Sequence, residues 1–288
     1  MTIHIRPITP ADAPACGKIV YEAFANLARR HGFPPDFPDA EVGTGLISLL
    51  ANHHGVYGVV AEDERGRILG SNFIDERNAI RGVGPITVDP AAQARGIGRR
   101  LMQAVLERAH DSAGVRLLQD GYNVKTMSLY TALGFDIKEP IVLMAGRTSS
   151  APPQNHGVRP LREGDLDGCA ALYRRVCGFD RSAEVREAIP ALAPFVAVRN
   201  NAIVAYTTSP VHAMQGHGVA EDEDAMRTLL LGAAGWLRTP LSILIPTRWA
   251  SFYRWALAEG LRAVKPMNLM ALGEYQEPRG CWFPSILY

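Results

Sequence analysis

Cysteine is scarce in this chain of 288 residues: there are four, at positions 16, 169, 177 and 281, and none forms a Cys-x-x-Cys pair. That spacing excludes a zinc ribbon and a disulfide framework, and the four read as buried thiols. The neighbouring His53 and His54 lack the spacing of metal ligands on a helix or strand, so a capping or surface role is expected and no metal cofactor. No apolar run approaches the ~20 residues of a membrane helix, and the opening Met-Thr-Ile-His-Ile-Arg-Pro is not a basic segment followed by an apolar one. A cytoplasmic protein without a membrane partner is the expectation. An excess of one charge is missing as well. Thirty basic residues against 29 acidic ones leave a net charge of +1, without the field that draws proteins onto nucleic acid or anionic lipid. With no basic tract either, no nucleic-acid partner is expected. Lysine is rare: only Lys18, Lys125, Lys138 and Lys265 stand among the thirty basic residues.

What is present is an ordinary globular composition, 47% hydrophobic and 20% charged, at a length where two cores become favourable. The segment Arg147-Thr-Ser-Ser-Ala-Pro-Pro-Gln-Asn-His-Gly157 is polar, contains prolines and has no apolar period, as a linker does. On either side one beginning recurs: Ile5-Arg6-Pro7-Ile8-x-x-x-Asp12-Ala13-x-x-Cys16 and Val158-Arg159-Pro160-Leu161-x-x-x-Asp165-Leu166-x-x-Cys169. The hairpin-like stretch from Val59 to Gly70 returns at Phe195 to Tyr206, and Gly134 to Ala145 returns at Gly260 to Ala271. A repeat of this size implies two copies of one domain, expected at 1–147 and 157–288 with 148–156 as the linker. The second copy is shorter both before and after its hairpin.

In the first copy the apolar spacing predicts helices over Ala11 to Arg30 and Asp39 to Leu50. Strands follow over Val56 to Glu62, Arg67 to Ile74 and Ile80 to Val88. A helix beginning near Gly96 carries Ile97, Leu101 and Val105 on one face and arginines on the other. The strand Val115 to Tyr122, a short helix over Thr126 to Leu133 and the strand Asp136 to Met144 complete the unit. The expected class is α/β, with a mixed, mostly antiparallel sheet flanked by helices in each copy.

The chemistry centres on Ile86-Thr-Val-Asp-Pro-Ala-Ala-Gln93-Ala-Arg95-Gly96-Ile97-Gly98-Arg99-Arg100. Here a strand ends and a helix opens on glycines beside arginines. Amides at a helix start lack intrahelical partners, and with the helix dipole they bind anionic oxygens; glycine removes the Cβ that would hold a phosphate away. Gln-x-x-Gly-x-Gly is a weak signal alone, and it lacks both the Gly-Lys-Ser/Thr of a P-loop and the third glycine of a dinucleotide fingerprint. Two further features accompany it. Pro85 cannot donate to a β-ladder, so the strand is expected to bulge or part from a neighbour and leave backbone groups for a ligand. Downstream stands Asn123-x-x-Thr126-x-Ser-Leu129-Tyr130-x-x-Leu133-Gly134-Phe135.

Together these motifs resemble the GNAT superfamily of acyl-CoA-dependent N-acyltransferases. The resemblance implies that the amides from Gln93 through Ala94, Arg95, Gly96, Ile97 and Gly98 to Arg99 hold the pyrophosphate of acetyl-CoA. It also implies that the backbone of Ile86, Thr87 and Val88 pairs with the pantetheine arm and that Asn123 contacts the arm's end. Tyr130 matches the tyrosine that protonates the departing thiolate, a suitable task for an uncharged phenol. Thr126 replaces the family's common alanine. No carboxylate stands in the strand Ile80 to Val88, so the family's glutamate base is absent from it; Glu76 and Asp120 are the candidates for a water-mediated relay. The Pro-rich stretch from His31 to Asp39 reads as a lid over the acceptor.

In the second copy a Gly216-x-Gly218 is followed by Glu221, Asp222, Glu223 and Asp224, whose carboxylates compete with phosphate for the helix dipole. Ala256 stands in place of Tyr130. This half reads as a degenerate copy that does not bind acyl-CoA, its aromatic residues serving for packing. The apolar tail Trp282 to Tyr288 is expected as a final strand or packed on the interdomain face. The function this implies is transfer of an acetyl or short acyl group from CoA to a primary amine of a small molecule. The alternative is a non-catalytic acyl-CoA sensor. Acceptor identity and oligomeric state are not written in these motifs.

Overall fold

The computed structural model describes residues 2–154 and 157–287. In chain order the first copy runs β1 (Ile3–Pro7), a 3-10 turn (Pro10–Asp12), α1 (Ala13–His31), α2 (Ala40–Asn52), β2 (Val56–Asp63), β3 (Ile68–Asp75), β4 (Ile80–Val83), β5 (Thr87–Val88), α3 (Ile97–Arg108), β6 (Gly114–Asp120), α4 (Val124–Thr131) and β7 (Asp136–Gly146). The order recurs, with one strand in place of β4 and β5, as β8 (Val158–Pro160), a 3-10 turn (Glu163–Asp165), α5 (Leu166–Cys177), α6 (Ser182–Ala191), β9 (Phe195–Arg199), β10 (Ala202–Thr207), β11 (Gly218–Ala220), α7 (Glu223–Leu237), β12 (Leu241–Pro246), α8 (Ala250–Ala258) and β13 (Arg262–Gly273). A short β14 (Trp282–Phe283) ends the chain's regular structure. The fold is the α/β repeat that the sequence implies.

The repeated opening motif has a physical cause. Arg6 forks onto Asp12 with two bonds of 2.8 and 2.9 Å, and Arg159 onto Asp165 with two of 2.7 Å, tying each first strand to the turn that starts its helix. Asp12 also accepts from the Thr9 amide at 2.8 Å, as a capping residue does. The Arg6 guanidinium holds the Asp12 carboxyl at about 2, below its ordinary 3.8, and Asp165 is lowered by Arg159 in the same way. Because the folded value is depressed, the stabilisation is complete above the ordinary carboxylate range and is lost as the pH falls towards 2. The Arg6 side chain is 35% exposed, so solvent screens the pair. Asp12→Asn is expected to cost about 1 kcal/mol at neutral pH. Thermal melts from pH 6 to pH 2 check this: the gap between variant and parent narrows with acid, and a gap independent of pH contradicts the linkage.

Two compact units emerge, residues 1–117 with 122–134 and residues 118–121 with 135–288. In the first, the strand order is β1-β2-β3-β4-β6, antiparallel except for the parallel pair β4–β6, with β5 paired to β3. In the second, β7 lies between β13 and β12, antiparallel to both. The division therefore falls earlier than the expected linker at 148–156, two residues of which lie outside the described ones. Its cause is hydrogen bonding: β7, the last strand of the first copy, is paired along its length with strands of the second copy. The second unit also holds the separate sheet β14-β11-β10-β9-β8.

All four cysteines are buried and free. Burial pushes the thiols up, Cys16 to about 11 and Cys169 and Cys177 to about 12, and raises Cys281 as well. A thiol reagent at neutral pH is expected to label none of them rapidly in the native protein and all four after denaturation; rapid native labelling contradicts this packing. His53 ends α2, and its Nδ1 accepts from the Gly55 amide at 3.0 Å, the capping role expected of it. Among the described residues no group of acidic, histidine and cysteine side chains forms a metal site, and no helix is long and apolar enough to cross a membrane.

Candidate functional site

The break in the sheet makes the site. The strand expected over Ile80 to Val88 is two strands, separated at Gly84, Pro85 and Ile86. Proline offers no amide to a ladder, and Gly84 stands at φ 140, so the pairing cannot run through. β4 pairs with β6 only over Ile80, Arg81 and Gly82, whereas Thr87 and Val88 of β5 pair with Ser71 and Gly70 of β3. The other edge of β5 is left without a strand among the described residues, and a cavity of about 570 Å³ opens beside it.

Every element of the first unit that the motifs name reaches this cavity. Ile86, Thr87 and Val88 form one wall, and Gln93, Ala94, Gly96, Ile97, Gly98 and Arg99 form its floor at the start of α3. Ala94 (φ 65) and Gly96 (φ 75) both adopt the left-handed conformation, which turns the loop sharply into the helix. Gln93 Nε2 donates to the Val88 carbonyl at 3.4 Å and links the loop to the end of β5. The amides of the first helical turn have no intrahelical acceptor. Arg95, expected with this group, is exposed and does not line the cavity.

Gly98 is informative because the protein itself leaves room for a side chain there. A Cβ would stand 3.6 Å from Leu129 and 3.9 Å from Val88, ordinary contact distances. Both neighbours line the cavity, so what a Cβ would occupy is cavity space beside the helix start. A floor of exposed amides and a missing Cβ fits a pyrophosphate.

Across the cavity stand Asn123, Leu129 and Tyr130. Asn123 caps α4, its Oδ1 accepting from the Thr126 amide at 3.3 Å, while Thr126 Oγ1 donates back to the Asn123 carbonyl at 3.0 Å. The threonine that departs from the family pattern thus reinforces the turn that presents Asn123. Tyr130 is buried at 5% exposure yet lines the cavity. Its hydroxyl is the kind of neutral donor that an expelled thiolate needs.

A third wall comes from α1, which no motif in the sequence marks. Ala23, Phe24, Asn26, Leu27, Arg30 and His31 of α1 line the cavity. The helical spacing puts Ile19, Ala23 and Leu27 on one face, but of these three only Ile19 is buried. Spacing alone does not tell a core face from a cavity face. The connection after α1 is pinned: Phe33 stacks on Tyr122 at 4.2 Å and buried Phe37 meets Phe24 edge-on at 5.6 Å.

Neither carboxylate proposed for a relay is in the cavity. Glu76 pairs with Arg81 at 3.3 Å and Arg108 at 3.0 Å, and Asp120 is buried against Lys265 Nζ at 2.6 Å. Ion pairing, which the sequence does not display, accounts for both.

The second copy lacks this arrangement for structural reasons. Thr207 and Tyr206 of β10 pair with Gly218 and Val219 of β11, as Ser71 and Gly70 pair with Thr87 and Val88. Gly218 and Val219 are thus the counterparts of the cavity wall. Their far edge is taken by β14, Gly218 pairing with Phe283 and Val219 with Trp282. Phe283 packs so closely that a Cβ on Gly218 would collide with its ring. At the following helix, Asp222 accepts from the Ala225 amide at 2.7 Å and so occupies the position of an anion. Ala256, in place of Tyr130, is fully buried. Of the tail, Trp282 and Phe283 form a short final strand, while Tyr288 lies outside the described residues.

Residues 42–137 match the family model described as an acetyltransferase (GNAT) domain. Among solved structures, a candidate acetyltransferase from Pyrococcus horikoshii is similar over 97% of this chain and 94% of its own, at 19% identity and a TM-score of 0.74. A GCN5-related N-acetyltransferase from Sphaerobacter thermophilus covers 96% of both chains at 16% identity and 0.62. A tandem GNAT protein from the clavulanic acid biosynthesis pathway covers 96% of this chain and all of its own at 14% identity and 0.59. At these identities the likeness is one of fold, and it extends over both halves. No curated protein matches the chain.

Proposed function

We propose that this protein, whose residues 42–137 match the GNAT acetyltransferase domain model, transfers an acetyl or short acyl group directly from CoA to the primary amine of a small molecule. The observation that carries the reading is the single cavity wall built from an unpaired strand edge and a helix start, with Tyr130 facing the same space. The floor at Gln93, Ala94, Gly96, Ile97, Gly98 and Arg99 would take the diphosphate, with Arg95 and Arg100 outside the cavity as mobile charge near it. Ile86, Thr87 and Val88 would offer backbone groups to the amides of the pantetheine arm, much as β14 offers them to β11 in the second copy. That arm would bring the thioester towards Tyr130 and the α1 wall. Attack by the amine on the carbonyl carbon, collapse of the tetrahedral intermediate and departure of the thiolate with the Tyr130 proton complete the transfer.

The charges around the cavity support a restricted acceptor class. Arg30, Arg99 and Lys125 line it and, among the described residues, no aspartate or glutamate does. A polycationic acceptor would meet repulsion, whereas a monoamine, neutral or bearing a carboxylate, would not. The test is CoA release from acetyl-CoA across a panel of monoamines, amino acids and polyamines. Turnover is expected with one of the first two groups and little with polyamines. Thermal stabilisation by acetyl-CoA without turnover on any amine would overturn the transferase reading in favour of a sensor.

A further inference from the structure

We propose that His31 is the group that removes the proton from the acceptor amine, an assignment that rests on the transferase reading above. The cavity's ionisable lining consists of Arg30, His31, Arg99, Tyr122, Lys125 and Tyr130. Guanidinium and ammonium groups have no lone pair to accept with, and phenols hold their protons to pH ~10. Imidazole alone in this set serves as an acceptor near neutral pH. The base that the strand Ile80 to Val88 does not supply is therefore present on a different wall.

The ring has an aromatic neighbour. His31 is the last residue of α1, and Gly32 (φ 73) turns the chain away immediately after it. The imidazole lies 5.2 Å from the Tyr122 ring, tilted by 39°, and Tyr122 is itself stacked on Phe33 at 4.2 Å and 11°. Tyr122 directly precedes Asn123, so one short segment carries both the imidazole's neighbour and the cap of the helix that carries Tyr130. His31 is also exposed, which gives a proton taken from the substrate a way to bulk water. The other charged and titratable side chains that line the same cavity are Arg30 on its own helix, Tyr122 before α4, Lys125 on α4, and Arg99 and Tyr130. No carboxylate is among them.

The proton balance is simple. An alkylammonium substrate gives one proton to the imidazole, and the freed lone pair forms the C–N bond to the acyl carbon. As the C–S bond breaks, the sulfur takes a proton from Tyr130. The nitrogen gives its second proton to solvent, the Tyr130 phenolate takes one back from solvent, and the imidazolium releases its own there, so one proton leaves overall. Nothing is oxidised or reduced.

The experiment compares the parent with His31→Ala and His31→Gln as full-length proteins, using the best amine of the panel and saturating acetyl-CoA, across pH 5.5 to 9. Both variants are expected to lower kcat/KM for the amine about 100-fold while acetyl-CoA affinity by calorimetry stays nearly unchanged. Any acid limb in the parent's rate profile should vanish in both. Free imidazole should restore part of the rate in His31→Ala, which has a gap for it, and not in His31→Gln; a merely structural histidine would not behave so. Variants that keep the parent's rate and its acid limb overturn the assignment of His31 and leave the transferase reading standing. A parent that releases no CoA with any amine removes both.

Discussion

Tyr130→Phe is expected to lower kcat about 100-fold while leaving the affinity for acetyl-CoA within a factor of about two. The reason lies in what the two halves of the side chain do. The ring is 5% exposed and packed into the first unit, and phenylalanine preserves that packing. Only the hydroxyl is lost, and with it the proton for the leaving thiolate. Because that proton moves after substrates are bound, the loss appears in turnover and not in binding. Single-turnover release of CoA together with calorimetry separates the two. Full turnover in Tyr130→Phe would remove the acid role; a parallel loss of melting temperature would instead show that the hydroxyl serves the fold.

The second large effect concerns Gly98, where stability and binding are expected to move in opposite directions. The backbone there is helical, and a Cβ would make only ordinary contacts with Leu129 and Val88. Alanine in a helix is favoured over glycine by up to about 1 kcal/mol, so Gly98→Ala should melt at the parent's temperature or slightly above it. The same methyl group would sit in the cavity against the proposed diphosphate, and CoA affinity should fall at least about 10-fold, with Gly98→Val abolishing detectable binding. Isothermal titration on variants checked by thermal melts decides the point. Unchanged CoA affinity in Gly98→Ala would mean that the ligand does not approach the helix start as proposed.

How far the sequence spoke depended on whether the interaction was local. The repeat was legible because Arg6 and Asp12, and Arg159 and Asp165, sit six residues apart and clamp a strand to its own helix in each copy. The helix that opens after Gly96 and the interruption at Pro85 were legible for the same reason, since turn chemistry is written in adjacent residues. The partners of β7 were not. An apolar strand of alternating pattern pairs equally well in the register of either copy's sheet, and nothing within Asp136 to Gly146 states that its neighbours are β12 and β13. The fate of Asp120 was hidden likewise, because its partner Lys265 lies far along the chain.

The functional wall contributed by α1 shows a different limit. Ala23 and Leu27 look like core by type and spacing, and they differ from Ile19 only in facing a cavity instead of a packed sheet. His31 carried no local motif at all. In the second copy, by contrast, the acids at Glu221 to Asp224 and the alanine at 256 are departures from the first copy's pattern that the sequence displays. What they could not announce is that β14 lies against the edge that corresponds to the cavity wall.

That contrast between a vacant strand edge in one copy and a paired one in the other is the centre of the account. A crystal structure of the full chain grown with coenzyme A tests it most directly. The expected result is one molecule per chain, its diphosphate on the amides of Gln93 to Arg99, its arm along Ile86 to Val88 and its sulfur facing Tyr130. Coenzyme A bound instead along β11, with β14 displaced, or bound away from the start of α3, would contradict it.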